Sequence, residues 1–228
     1  FLTSFGDQGP TEEARPSAAL APPELTFLAN LSESLVRERQ EQPGLAAAHQ
    51  ALIYPVPDFL ANTGYEAFVN VAITGNSGVG KSLFVNSLRG VKRGHETWAP
   101  VGVCETTKEP IGYDYPGKAD VRLWDVEGAG CMYTWDTYIR RIGAKYFDVV
   151  LVLSSSRFTE TEKALMNELH VHGVPFFFVR TKLDVDIRSN EADYGMTAEE
   201  TAAAIKSDLG ANGVANPYLI NVRELGEH

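Results

Sequence analysis

Apolar residues first recur at helical spacing at Leu25, Leu28, Leu31, Leu35 and Val36, with Glu33, Arg37, Glu38 and Arg39 between them. Pro43-Gly44 stops that helix, and a second helical stretch runs from Leu45 to Tyr54 before the Pro55-Val56-Pro57 break. The expectation is an N-terminal helical segment over 24–64, docked on the domain C-terminal to it. Ahead of it, residues 1–23 are rich in Pro, Gly, Ala, Glu and Ser and show no apolar period. They read as a disordered or extended tail that buries too little surface to order itself.

Beyond Gly64 the rhythm becomes strand, turn, helix. Ala67–Thr74 is a buried-strand run and Lys81–Arg89 a helix. Ile111–Tyr115 and Val121–Trp124 read as two strands joined by a Pro116-Gly117 turn, and Val149–Leu153 as a continuous apolar strand for the centre of a parallel sheet. Thr159 with Glu162 forms a capping box at the start of another helix, which Gly173 and Pro175 close. Phe176–Val179 is a buried strand, Ala198–Leu209 a helix and Tyr218–Ile220 a last short strand. The alternation predicts an α/β fold over 65–228: three layers, α/β/α, around a mostly parallel six-stranded sheet.

Composition narrows the function classes. The 228 residues carry 30 acidic against 20 basic side chains, a net charge of −10, which argues against a nucleic-acid-coating surface. Cys104 and Cys131 are the 2 cysteines, too few for a disulfide framework or a zinc site. A reducing, cytoplasmic setting is the simpler reading. No stretch approaches the roughly 20 apolar residues of a spanning helix, so membrane attachment is expected only through segments outside this stretch.

The chemistry begins at Gly75-Asn76-Ser77-Gly78-Val79-Gly80-Lys81-Ser82, which fits G-x-x-x-x-G-K-[ST] after a predicted strand and before a predicted helix. Glycines let the backbone curl so that N–H groups face phosphate oxygens, and the positive end of the helix faces the same anion. Lys81 is expected on the outer phosphates and the Ser82 hydroxyl on Mg²⁺. The fold class is therefore that of the P-loop NTPases. Asp125-Val126-Glu127-Gly128 gives D-x-x-G at a strand end, with Asp125 a second candidate for the metal and the Gly128 N–H for the terminal phosphate. Between them, Thr106 and Thr107 compete for a role that closes over the γ-phosphate and coordinates Mg²⁺, and Thr107 is preferred. After the 176–179 strand comes Arg180-Thr181-Lys182-Leu183-Asp184. A carboxylate at 184 accepts from the ring N–H and exocyclic amine of guanine together, a pairing adenine does not offer. The Lys182 stem lies along the base in this reading.

Order and spacing resemble the translation-factor-like GTPases as a class and, more closely, the immunity-related GTPases of the interferon-inducible p47 type. The stretches that carry the resemblance are Phe68-Val-Asn-Val-Ala-Ile-Thr-Gly75, Phe84-Val-Asn-Ser-Leu-Arg-Gly90 and Gly102-Val-Cys-Glu-Thr-Thr107. Leu123-Trp-Asp-Val-Glu-Gly-Ala-Gly130, Ser155-Ser-Arg-Phe158 and Phe177-Phe-Val-Arg-Thr-Lys-Leu-Asp-Val-Asp-Ile187 extend it. The resemblance runs from about Ala67 to Ile220. It implies a guanine site that includes Thr181, Lys182, Asp184 and, near the last strand, Asn221. It also implies that this stretch holds the GTPase domain and not the helical domain that follows it in the family.

Ala129 stands where many GTPases place a water-orienting Gln, so another group must hold the water. The resemblance points to Glu105, a switch glutamate implicated in catalysis when two GTPase domains meet across the nucleotide. With Lys81 and Thr107 it makes up the catalytic set. The expected activity is Mg²⁺-dependent hydrolysis of GTP to GDP, slow in the monomer and raised by nucleotide-driven homodimerisation. A nucleotide-sensing scaffold that hardly hydrolyses is the first alternative and a P-loop kinase or ATPase the second.

Overall fold

The structure, a computed structural model, describes residues 55–101, 109–128 and 135–222, with 135 and 136 described in backbone only. Its strands are β1 (Val69–Gly75), β2 (Ile111–Tyr115), β3 (Lys118–Asp125), β4 (Val149–Ser154), β5 (Phe176–Arg180) and β6 (Tyr218–Leu219). They form one six-stranded sheet in the order β2-β3-β1-β4-β5-β6. β1 pairs in parallel with β3 and β4, β4 with β5 and β5 with β6, while β2 returns antiparallel on β3 at the edge. The predicted mostly parallel sheet is the observed one. The helices are α1 (Asp58–Ala61), α2 (Lys81–Leu88), α3 (Trp135–Ile142), α4 (Glu160–Val171), α5 (Leu183–Tyr194) and α6 (Ala198–Ala211).

Side chains alternate across the sheet and bury both faces. Val69, Val71 and Ile73 share one cluster with Leu123, Leu151 and Leu153 and with Phe84, Val85 and Leu88 of α2. Ala72, Trp124, Val150, Val152 and Phe178 face the other way, onto Tyr138, Ile139 and Ile142 of α3, Leu165 and Leu169 of α4 and Leu209 of α6. Burying one such aliphatic side chain is worth about 2 kcal/mol. Leu60 of α1 is fully buried in the second cluster, and the Phe59 ring lies 5.5 Å from that of Trp124. Residues 55–64 of the predicted helical segment thus pack on the sheet. Its remainder, 24–54, and the tail lie outside the described residues. Among the described residues no helix is long and apolar enough to cross a membrane.

The Thr159–Glu162 capping box forms as predicted, and a second, Thr197 with Glu200, opens α6. Two helices were not anticipated. α5 has no buried residue and enters from Lys182 in the left-handed region (φ 59°), so it carries neither an apolar stripe nor a side-chain cap. α3 is short, and among its described side chains Tyr138, Ile139 and Ile142 are the buried apolar ones before Gly143.

Parallel register sets the site. Ile73 pairs with Asp125, Gly75 with Leu153 and Ser154 with Arg180, so the carboxyl ends of β1, β3, β4 and β5 finish along one rim, where ligands of open α/β sheets bind. Gly75 turns the chain there at φ 142°, and a Cβ on it would stand 2.1 Å from the carbonyl oxygen of Leu153. Gly75→Ala is therefore expected to cost about 3 kcal/mol or more of stability. A urea midpoint equal to that of the parent chain would contradict this.

Candidate functional site

The rim begins with the loop between β1 and α2. Gly78 and Gly80 hold φ of 77° and 98°, the left-handed values that let this loop curl. Lys81 is 8% exposed although it is a lysine. Its Nζ donates back to the carbonyls of Gly75 (3.3 Å) and Asn76 (3.2 Å), which places the cation inside the curl. The Asn76 amide reaches Thr159 Oγ1 at 3.4 Å. Lys81 at the first position of α2 also puts the loop at the positive end of that helix.

Ser82 Oγ donates to Asp125 Oδ2 at 2.6 Å, so two of the three residues assigned to the metal, all but Thr107, meet across α2 and β3. A hydroxyl and a carboxylate beside a phosphate loop form an all-oxygen donor set of the kind Mg²⁺ takes. The Asp125 charge also reaches β2. Burial first, and then Asp125, raise the Tyr113 phenol above its ordinary value, while Arg89 pulls the other way. Arg89 itself donates to the carbonyls of Thr97 and Asp114 and lies over the Tyr113 ring, so its contacts here are structural.

Beyond Asp125, the Val126 N–H donates to the Ile73 carbonyl at 3.2 Å and keeps the segment on β1. Glu127 is buried, and Oε1 of its carboxylate pairs with Arg141 Nε of α3. Its charge, which the sequence places beside the phosphates, is thereby met by a guanidinium. The Glu127 carbonyl accepts from the Tyr138 hydroxyl at 2.9 Å. Sequence reasoning missed both partners. The Tyr138-Ile139-Ile142 spacing marks an apolar helix face and does not point to either partner.

The base-reading segment meets the loop directly. Thr181 is fully buried and its hydroxyl contacts the carbonyls of Val79 (2.8 Å) and Ser154 (3.1 Å). Lys182 Nζ donates to the Gly78 carbonyl at 2.9 Å, which lays its stem over the loop. Thr181 thus acts on the loop in this structure. Asp184 stands in the first turn of α5, and its Oδ2 is paired with Arg188 Nη2 at 2.8 Å, a partner not evident in the sequence. Arg180, 7% exposed, grips Asp186 Oδ2 at 2.7 Å and ties α5 to the end of β5. Asn221 follows β6 between two anchors. Ile220 N–H donates to the Arg180 carbonyl, its own carbonyl accepts from Leu183 N–H, and Ser87 Oγ donates to the Val222 carbonyl. Asn221 is therefore brought to the rim beside residues 180–183.

The structure brings together Gly75 to Ser82, Asp125, Thr181 and Lys182; Gly128 follows three residues after Asp125, Asp184 stands in the first turn of α5 and Asn221 follows Ile220, which is bonded to Arg180 and Leu183. Glu105, Thr107, Cys104 and Ala129 lie outside the described residues.

Comparison with known proteins bears on this rim. Residues 47–212 match the family described as Interferon-inducible GTPase (IIGP). The T-cell-specific guanine nucleotide triphosphate-binding protein 2 of Mus musculus is 35% identical over 124 residues, 54% of this chain and 30% of that protein. Interferon-inducible GTPase 5 of Bos taurus is 40% identical over 164 residues, 69% of this chain and 35% of that protein. The chain spans about a third of the length of these curated relatives. Era in complex with MgGDPNP and a 16S ribosomal RNA segment is 18% identical, with a TM-score of 0.49 over 69% of this chain and 52% of that one.

Proposed function

The chain belongs to the interferon-inducible GTPase family, and from that premise we propose that it binds guanine nucleotide and hydrolyses GTP to GDP and phosphate. One observation carries the reading: the predicted base-reading segment touches the predicted phosphate loop. Thr181 on Val79 and Lys182 on Gly78 join positions 102 and 104 residues apart. A purine held at Asp184 and phosphates held in the loop are then two ends of one ligand.

In this mechanism the loop amides and Lys81 hold the β- and γ-phosphates and take up charge that develops on them as the terminal phosphoryl group leaves. Gly128 N–H donates to the γ-phosphate. Ser82 and Asp125 would hold Mg²⁺, which when bound supplies further charge neutralisation at the phosphates. Thr107 is proposed to close over the γ-phosphate. Glu105 is proposed to hold the attacking water and accept its proton once a second GTPase domain covers the site and excludes solvent. The partner is then a second copy of the chain, engaged in the nucleotide-bound state.

The test is phosphate release under multiple turnover with GTP and with ATP, over a hundredfold range of protein concentration. GTP is expected to be consumed and ATP spared, with turnover per molecule rising with concentration. Tight GTP binding with no phosphate release would identify a nucleotide-sensing scaffold instead, and a concentration-independent rate would remove the homodimer.

A further inference from the structure

The donor assigned to the terminal phosphate, the Gly128 N–H, belongs to the same planar peptide unit as the Glu127 carbonyl. In a trans unit the two point in opposite directions, and the described residues contain no cis peptide bond. Whatever holds that carbonyl therefore aims that amide.

What holds it is Tyr138. The hydroxyl donates to the Glu127 carbonyl at 2.9 Å and lies 2.7 Å from Thr74 Oγ1. Tyr138 is 2% exposed and Thr74 0%, so neither bond is shared with bulk water. A carbonyl only accepts and a phenol has one proton, so the tyrosine donates to Glu127 and Thr74 donates to the phenolic oxygen. The result is a directional relay, Thr74 to Tyr138 to the Glu127 carbonyl. It starts one residue before Gly75, at the root of the phosphate loop, and ends on the back of the peptide unit that presents Gly128. Arg141, on the same helix, holds the Glu127 side chain. Residue 127 is thus fixed at both its carbonyl and its carboxylate by α3.

We propose that Tyr138 is a positioning residue whose hydroxyl sets the 127–128 peptide plane and thereby the share of nucleoside-triphosphate affinity that the Gly128 N–H supplies. The inference rests on the guanine-nucleotide reading above. A donor whose direction is set before binding needs less ordering when the γ-phosphate arrives, and a diphosphate has no γ-phosphate for it to meet.

Tyr138→Phe keeps the ring in its packing and removes the hydroxyl. Relative to the parent chain, its affinity for a non-hydrolysable GTP analogue is expected to fall about 3- to 10-fold, the worth of one hydrogen bond. Affinity for GDP is expected to change by less than about twofold, since the diphosphate does not use the amide. Thr74→Val, which leaves the tyrosine but removes the donor that orients it, should give a smaller loss in the same direction and carries the test if Tyr138→Phe does not fold. Parallel losses for both nucleotides, or no loss for either, would overturn the assignment of Tyr138 while leaving the parent reading intact. A parent chain that binds neither nucleotide would overturn both.

Discussion

Lys81→Ala is expected to lower affinity for GTP and GDP by about 100-fold or more, because two or more charge-assisted bonds to phosphate oxygens are lost together. Hydrolysis at saturating nucleotide should fall further, by about a thousandfold, since the ammonium also offsets charge that grows on the leaving phosphates. The geometry explains why the loss cannot be made good nearby. The Lys81 Nζ is threaded into the curl and held by the Gly75 and Asn76 carbonyls. Calorimetric titration of the parent and variant chains with both nucleotides provides the measurement, and full affinity in Lys81→Ala would remove the phosphate loop from the mechanism.

Asp184→Asn should produce the second large effect, a loss of guanine-nucleotide affinity of about 100-fold or more. In the proposed reading the carboxylate accepts from two donors on the guanine edge, whereas an amide offers one acceptor and faces the second donor with its own N–H groups. The same swap should improve binding of xanthosine nucleotides, whose 2-oxo group accepts where guanine donates. Folding is expected to change little, because the Asp184–Arg188 pair lost in the variant lies at the surface, with the arginine side chain 71% exposed, and such pairs contribute about 0–1 kcal/mol. Competition of GTP and XTP against a labelled guanine nucleotide separates the outcomes. A variant that keeps its preference for guanine would show that the base is read elsewhere.

Much of this site was legible because its chemistry is local. The loop from Gly75 to Ser82 needs glycine at fixed offsets and a lysine at the mouth of a helix, and those demands are written in eight consecutive positions. The strands announced themselves through apolar runs, since β1 and β4 are buried on both faces. α5 was illegible for the opposite reason. None of its twelve residues is fully buried, so no strong apolar period marks them. Thr181 was legible as a member of the base-reading segment but not as a brace for the loop, because a hydroxyl at the end of a strand does not state which carbonyl it will meet. Tyr138 was hidden for a similar reason. Its spacing with Ile139 and Ile142 speaks only of packing, and the hydrogen bonds that distinguish it are made with Thr74 on β1 and with Glu127 beyond β3.

The brace at Thr181 has a consequence for ligand size. With its hydroxyl fixed on Val79 and Ser154, the start of the base-reading segment cannot move toward or away from the loop without breaking buried bonds. The rim is then a calliper. In the proposed binding mode it spans a ligand whose base and polyphosphate stand one pentose apart, a demand separate from the edge pattern by which the purine would be read.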